Sequence, residues 1–390
     1  MKRIFSNLLF KVFLGIVLGI VFGLFLPESV NRIFATFNAF FGQFLNFSIP
    51  LIIMGLIMPA ISDLGRGAGK LLLLTAAIAY GSTLFSGFMT YFAAAGIFPT
   101  LLESHAANAA SITETGKELL PYFSITIPPA LDVMTALVFA FLIGLGLSYQ
   151  EKSALGAVVK DFQVIIMQLI EKVIVPLLPL YILGIFAGMA FNGKVYSVLS
   201  VFVTIIGVIF ALHILLLAIQ YVIAGLLTKK NPIKLLATML PAYFTALGTQ
   251  SSAATIPVTL EQAIKNGVSK KIAGFVIPLC ATIHLSGSIM KITACAMALM
   301  ILQGIPFTFT LFAGFIFMLG IAMVAAPGVP GGAIMAAIGI LQSMLGFNEE
   351  MQGLMIALYI AMDSFGTACN VTGDGAIALA VNKLTKQVGA

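Results

Sequence analysis

Apolar residues run along this chain in long blocks, not at the alternating spacing of half-buried elements. About 20 such residues are what a membrane-spanning helix needs. The first block, Leu8–Leu26, is closed by Pro27 and flanked on its amino side by Lys2, Arg3 and Lys11. It is longer than a signal-peptide core and lacks a small-residue cleavage site, so it reads as a retained helix. Further blocks predict helices at roughly Ile33–Ile61, Leu71–Phe98, Ala130–Tyr149, Val158–Phe191, Tyr196–Leu227, Gly274–Leu302 and Met351–Leu384. The longest hydrophilic stretch, Leu101–Tyr122, holds Glu103, His105, Glu114 and Glu118 and reads as a loop.

Two apolar blocks are broken from within. Pro232–Thr259 is interrupted by Gly248-Thr249-Gln250-Ser251-Ser252, and both of its flanks carry lysines. One helix cannot start and end on the same side, so this segment enters and returns. A re-entrant pair of short helices fits, with its polar tip buried in protein. Phe307–Gly346 is similar, with Ala325–Gly332 as its tip. Gly328, Pro330, Gly331 and Gly332 in an apolar run mean broken helix. Paired interrupted hairpins point to an inverted-repeat transporter with a site near the midplane. The fold predicted is therefore an all-α polytopic membrane protein of eight transmembrane helices and two re-entrant helical hairpins. No ten-residue alternation suggests a barrel.

Composition agrees with this reading. Hydrophobic residues make up 60% of the 390 and charged residues 9%. Soluble domains carry about 25% charged residues, which excludes a cytosolic enzyme, a disulfide module, a disordered regulator and a nucleic-acid binder. Cys280, Cys295 and Cys369 lie in apolar runs and give neither a disulfide framework nor a zinc spacing. The net charge of +6 comes from basic residues on alternate connections: Arg66 and Lys70; Lys152 and Lys160; Lys229, Lys230 and Lys234; Lys265, Lys270 and Lys271; Lys383 and Lys386. Glu103, Glu114, Glu118, Glu349 and Glu350 mark the other side, and lone Lys117 and Lys194 do not reverse the bias. By the positive-inside rule, both termini are expected on the cytoplasmic side of the cell (inner) membrane.

Within the apolar blocks a few polar residues stand out. In the last block, Asp363, Thr367, Asn370 and Asp374 recur at spacings of 4, 3 and 4, one face of a helix. An intramembrane carboxylate costs about 2.5–3.5 kcal/mol on insertion scales and is a functional candidate by default. Such oxygens suit a hard cation, Na⁺ or a proton, and an Asp can also receive a substrate ammonium. In the helix before, His284, Ser288 and Lys291 are predicted to share a face. Lys291 is too deep to reach water easily, so it pairs with Asp363 or Asp374 or lines a wet cavity. His284 is read as an interhelical hydrogen bond or a proton relay, and His213 as structural. The half-helix amino ends at the hairpin tips, beginning at Ser251 and Ser252 in the first, favour a carboxylate.

Three ordered motifs carry a family resemblance. Thr249-Gln250-Ser251-Ser252-Ala253-Ala254-Thr255-Ile256-Pro257 resembles the serine-rich first hairpin of the dicarboxylate/amino acid:cation symporters, the glutamate transporter family. Gly328-Val329-Pro330-Gly331 is similar to their second hairpin tip, and Asn370-Val371-Thr372-Gly373-Asp374 to their last-helix signature. The resemblance covers nearly the whole chain and implies a homotrimer of elevator type. It implies scaffold parts at 1–64 and 128–195, and transport parts at 65–127 and 196–390. It places Asp363 at a substrate ammonium, and Ser251, Ser252, Asn370, Gly328, Val329, Pro330 and Gly331 around an α-carboxylate. Ser288, Gly366 and Thr367 would line the side-chain pocket. Thr282, Ser286, Asn370 and Asp374 would stand at cation sites, with His284 and Lys291 bearing on coupling. Na⁺ or H⁺ would be the coupling ion, with no organic cofactor.

The chain departs from that pattern where specificity and coupling are decided. Gly366 stands where members that carry acidic substrates have Arg, and Gln250 where several have the first-hairpin Arg. The seventh-helix Asn-Met-Asp-Gly is His284-Leu285-Ser286-Gly287, and Lys291 replaces a Tyr. The third-helix partners of that cation site are not found around Thr75–Ala79. Two specificity readings follow. A neutral amino acid, the reading favoured, fits a pocket emptied by Gly366. An acidic amino acid or dicarboxylate fits if Lys291 replaces the Arg. The rival from another class is a passive solute or anion channel. An aspartyl enzyme is excluded by distance, since Asp363 and Asp374 would lie about 16 Å apart on one helix.

Overall fold

The computed structural model describes residues 8–65, 70–112, 119–150, 153–193, 195–326 and 330–388. Among these residues the chain is helical apart from short connections and one irregular stretch at 119–132, with no strand. The elements are α1 (Leu8–Phe25), α2 (Glu28–Gly65), α3 (Lys70–Ile112), α4 (Val133–Ser148), α5 (Ala154–Phe191), α6 (Val195–Thr228), α7 (Pro232–Thr249), α8 (Ser252–Lys265), α9 (Lys270–Ile283), α10 (Ser286–Leu302), α11 (Phe309–Ala325), α12 (Gly332–Leu345), α13 (Glu349–Ala361) and α14 (Asp363–Val388). Among the described residues six stretches are long and apolar enough to cross a membrane, and a seventh forms if the bent pair α13–α14 is one span. Phe92, Leu142, Val203 and Ile214 are 62%, 67%, 72% and 69% exposed, as a lipid-facing surface requires and a water-facing one would not tolerate in such number.

Four outcomes differ from the pattern reading. The stretch Leu101–Tyr122, expected as loop, is helix as far as Ile112, because Leu101-Leu102 and the alanines after them are strong helix formers; it is irregular at 119–122, and Glu114 and Glu118 lie outside the described residues. The block Gly274–Leu302 is two helices, broken at His284-Leu285. The block Met351–Leu384 is also two, bent by 60° at Met362. The helix expected over Ala130–Tyr149 has only 16 residues, its start set by Asp132, whose carboxylate accepts from Met134 and Thr135 N–H. In α5 a π-helical turn, Ile170–Ile174, lies just ahead of Pro176, which has no N–H and would clash with the carbonyl four residues back.

The helices sort by what they pack against. α1 lies along α5, while α2 packs on α4 and α5. The α1–α5 contact is backbone to backbone. A Cβ at Gly15, Gly19 or Gly23 would come within 2.6, 2.4 or 2.3 Å of the carbonyl oxygens of Pro179, Leu183 and Ala187. That is a small-residue seam of the kind that drives helix association in lipid. α3 packs instead on α10, and α14 is surrounded by α6, α7, α8, α9 and α10. α7 and α8 pack on each other across a tight turn at Gln250, as α11 and α12 do across residues 326–331. These are the two expected hairpins.

Candidate functional site

Four interruptions of helical backbone converge. The turn of the first hairpin, the tip of the second, the break before α10 and the start of α14 share one cavity. It is lined among others by Gln250, Ser252, Leu285, Ser288, Ala333, Tyr359, Asp363, Thr367 and Asn370. Its volume is about 20 Å³, room for a water-sized group.

Each interruption has a local cause. Gln250 takes a left-handed conformation, φ 54°, and ends α7. Ser251 then caps α8 through a bond from Ala254 N–H, 3.3 Å. Gly331, at φ 75°, starts α12, a conformation that costs glycine nothing. Gly287 begins α10 where it crosses α14. A Cβ there would lie 2.6 Å from the Gly366 carbonyl oxygen and 2.7 Å from Cys369 Cβ, so only glycine allows the crossing.

Three polar groupings follow along the crossing. At the start of α14, Lys291 and Asp363 are buried and paired, Nζ to Oδ1 at 3.3 Å. The ammonium also donates to the Met362 carbonyl at the bend, 3.3 Å, and sits 3.7 Å from the centre of the Tyr359 ring. The other Asp363 oxygen accepts from Gly331 N–H, 2.8 Å, at the second hairpin tip. Of the partners open from the sequence, Lys291 thus takes Asp363 and not Asp374.

In the middle, Asn370 spans the break. Its Oδ1 accepts from Gly287 N–H at 2.7 Å and its amide donates to Ser288 Oγ at 3.2 Å. Ser288 also meets the Tyr359 hydroxyl at 3.1 Å. Thr367 closes on the Asp363 carbonyl, 2.9 Å.

Deepest lies His284, fully buried, with Nδ1 2.9 Å from Asp374 Oδ1 and Nε2 3.1 Å from Ser82 Oγ. Gln220 donates to Ser82 Oγ and Ser286 Oγ, at 3.2 and 3.3 Å. Ser86 donates to the Ser286 carbonyl, 2.7 Å. Both ring nitrogens of His284 are thus taken, one by Asp374 and one by Ser82, with Gln220 behind Ser82.

The structure therefore brings together Ser252, Ser288, Gly331, Asp363, Gly366, Thr367, Asn370 and Lys291, and beside them His284, Ser286 and Asp374. The single face predicted for His284, Ser288 and Lys291 does not form. His284 sits in the break, in extended backbone, and turns to Asp374 while the other two face α13 and α14. Nor is Thr282 gathered with Ser286, Asn370 and Asp374. It is exposed, and its hydroxyl donates to the Leu279 carbonyl. Ser251 is half-buried and serves as a cap, and Pro330 is half-buried in the second tip. Gly328 and Val329 lie outside the described residues. Four site residues escaped the sequence reading: Ser82, Ser86, Gln220 and Tyr359. A signal existed for three of them. Ser82, Ser86 and Thr90 recur every four residues on α3, one turn beyond the Thr75–Ala79 segment searched, and Gln220 lies seven after His213 on α6.

A profile of the sodium:dicarboxylate symporter family matches residues 8–384. The chain is 27% identical over 395 residues to the serine/threonine transporter SstT of Acinetobacter baumannii, covering 98% of both chains. It is 26% identical over 394 residues to the protein of that name in Acinetobacter baylyi, covering 97% of this chain and 98% of the other. Against human excitatory amino acid transporter 2 the identity is 28% over 259 residues, 64% of this chain and 44% of the human one.

Proposed function

Since the chain belongs to the sodium:dicarboxylate symporter family, whose members are membrane transporters and not enzymes, we propose that it is a Na⁺-coupled symporter of a small neutral amino acid, of the serine or threonine kind. One observation carries this reading. The Lys291 charge is already spent on Asp363, so the site is electrically balanced before substrate arrives. A zwitterion keeps that balance, its ammonium going to Asp363 and its carboxylate to Asn370 and the hairpin amides. A second carboxylate would leave a net negative charge in a buried site, which is costly without a partner. The hydroxyls of Ser288, Thr367 and Tyr359 around the cavity suit a small polar side chain. The names of the bacterial relatives agree.

The same pair favours one other reading. With both Asp363 oxygens taken by Lys291 and Gly331, a carboxylate without an amino group is an alternative cargo, its charge then balanced by a coupled Na⁺. The passive channel finds no support in the family.

For the transport cycle, the reading takes α1, α2, α4 and α5 as a scaffold, where copies of the chain would meet as a trimer. α3 and α6–α14 would form a body that moves as an elevator. Its support is which helices pack on which. Eight spans, both termini cytoplasmic and an inner-membrane location belong to the same reading.

The test is binding. Calorimetry on purified protein with Na⁺ should show serine or threonine binding that Asp363→Asn abolishes while assembly is kept. Unchanged affinity in that variant would remove Asp363 from the site and favour the carboxylate-only cargo.

A further inference from the structure

The transport reading uses the charge of Lys291 but gives the residue no part once substrate has left the site. Its ammonium has no free path to water: the residue is 1% exposed, and Gly366 is what makes room for it. A Cβ on Gly366 would lie 2.3 Å from Lys291 Cε and 2.4 Å from Nζ. The lysine tail therefore lies flat on α14 where any other residue would stand. It reaches Asp363 on one oxygen, and the tip of the second hairpin holds the other through Gly331 N–H.

A carrier that moves its cargo in one direction must return empty. Before it can cross, it must close its gate over an empty site. An unpaired Asp363 in such a closed site would be a buried charge without a partner, and that opposes closure. The lysine supplies the missing charge from within the chain. We propose that Lys291 is a positioning residue for the empty carrier. It stands in for the substrate ammonium at Asp363, and so lets the second hairpin close through Gly331 when no substrate is bound. On loading, the ammonium of the substrate takes over Asp363 Oδ1. Lys291 keeps the Met362 carbonyl and the Tyr359 ring, the two holds that do not involve Asp363. The inference rests on the reading of Asp363 as the amino-group site.

The cycle separates this role from a merely structural one. Exchange of labelled for unlabelled amino acid never requires the closed, empty carrier to cross, whereas net uptake requires that crossing at every turnover. The experiment compares both in proteoliposomes with an inward Na⁺ gradient, using labelled serine and threonine, for the wild type, Lys291→Met and Gly366→Ala. Gly366→Ala keeps both charges and only displaces the lysine tail, so it carries the test if Lys291→Met fails to assemble. The ratio of net uptake to exchange is expected to fall about tenfold in each variant, the equivalent of about 1.4 kcal/mol in closure. Net uptake and exchange falling in proportion, with the ratio held, would overturn the inference and leave the neutral amino acid reading intact. Wild-type protein that neither exchanges nor accumulates serine or threonine would overturn that reading, and the inference with it.

Discussion

His284 and Asp374 meet at 2.9 Å in a seam closed to solvent, one from the break between α9 and α10, the other from the middle of α14. On the proposed reading of Asp374 as a cation ligand, the imidazole competes with a bound monovalent cation for the carboxylate. Behind it, Ser82 and Gln220 tie α3 and α6 to the same point. The pair therefore ties the break to the middle of α14, and on that reading it limits what Asp374 can bind.

From this follows the first prediction. His284→Asn keeps an amide donor beside Asp374 and vacates the ring volume, so Na⁺ dependence of uptake should steepen. Uptake measured against Na⁺ concentration at fixed substrate checks it. A curve that superimposes on the wild type would show that His284 does not restrict cation binding.

The wild-type chain should couple fewer Na⁺ per substrate than family members with three cation sites. Ser286 supplies a hydroxyl where the family has a carboxylate, and that hydroxyl is held by Gln220. Reversal potentials in proteoliposomes, with Na⁺, H⁺ and substrate gradients set independently, give the stoichiometry. Three Na⁺ per substrate would contradict the assignment.

Ser86→Ala removes the α3 hydroxyl that satisfies the Ser286 carbonyl at the break. Interhelical hydrogen bonds in membranes average about 0.6 kcal/mol, so the loss in stability should be small. Leaving that buried carbonyl unpaired raises it toward about 1–3 kcal/mol. A lower thermal unfolding midpoint with unchanged substrate selectivity is expected.

Much of this architecture was legible beforehand, and the reasons are physical. Hairpin tips announce themselves because backbone that breaks inside an apolar block needs Gly, Pro or Ser, as at Gly248–Ser252 and Pro330–Gly332. The acids of α14 were legible because a carboxylate within an apolar block has few other reasons to be there. The breaks at His284 and Met362 were not. Neither break has a proline at it; Gly287 signals only a local loosening at the first, and what fixes the breaks is tertiary: Asn370 taking Gly287 N–H, and Lys291 taking the Met362 carbonyl. The choice of Lys291 between two acids was equally beyond spacing, since it depends on how α10 crosses α14.

The α1–α5 seam allows a prediction away from the site. Gly19→Leu places a side chain against the Leu183 carbonyl and Phe186, and should force α1 off α5. Lower detergent stability is expected, with the serine-to-aspartate preference unchanged. A changed preference instead would tie the seam to the binding site.

The neutral-substrate claim is tested most directly by competition. Labelled serine uptake into proteoliposomes, driven by an inward Na⁺ gradient, is measured against excess unlabelled serine, threonine, aspartate and succinate. The pairing of Lys291 with Asp363 predicts saturable, Na⁺-dependent uptake that serine and threonine suppress and aspartate and succinate do not. Uptake of labelled aspartate or succinate that serine fails to suppress would contradict it.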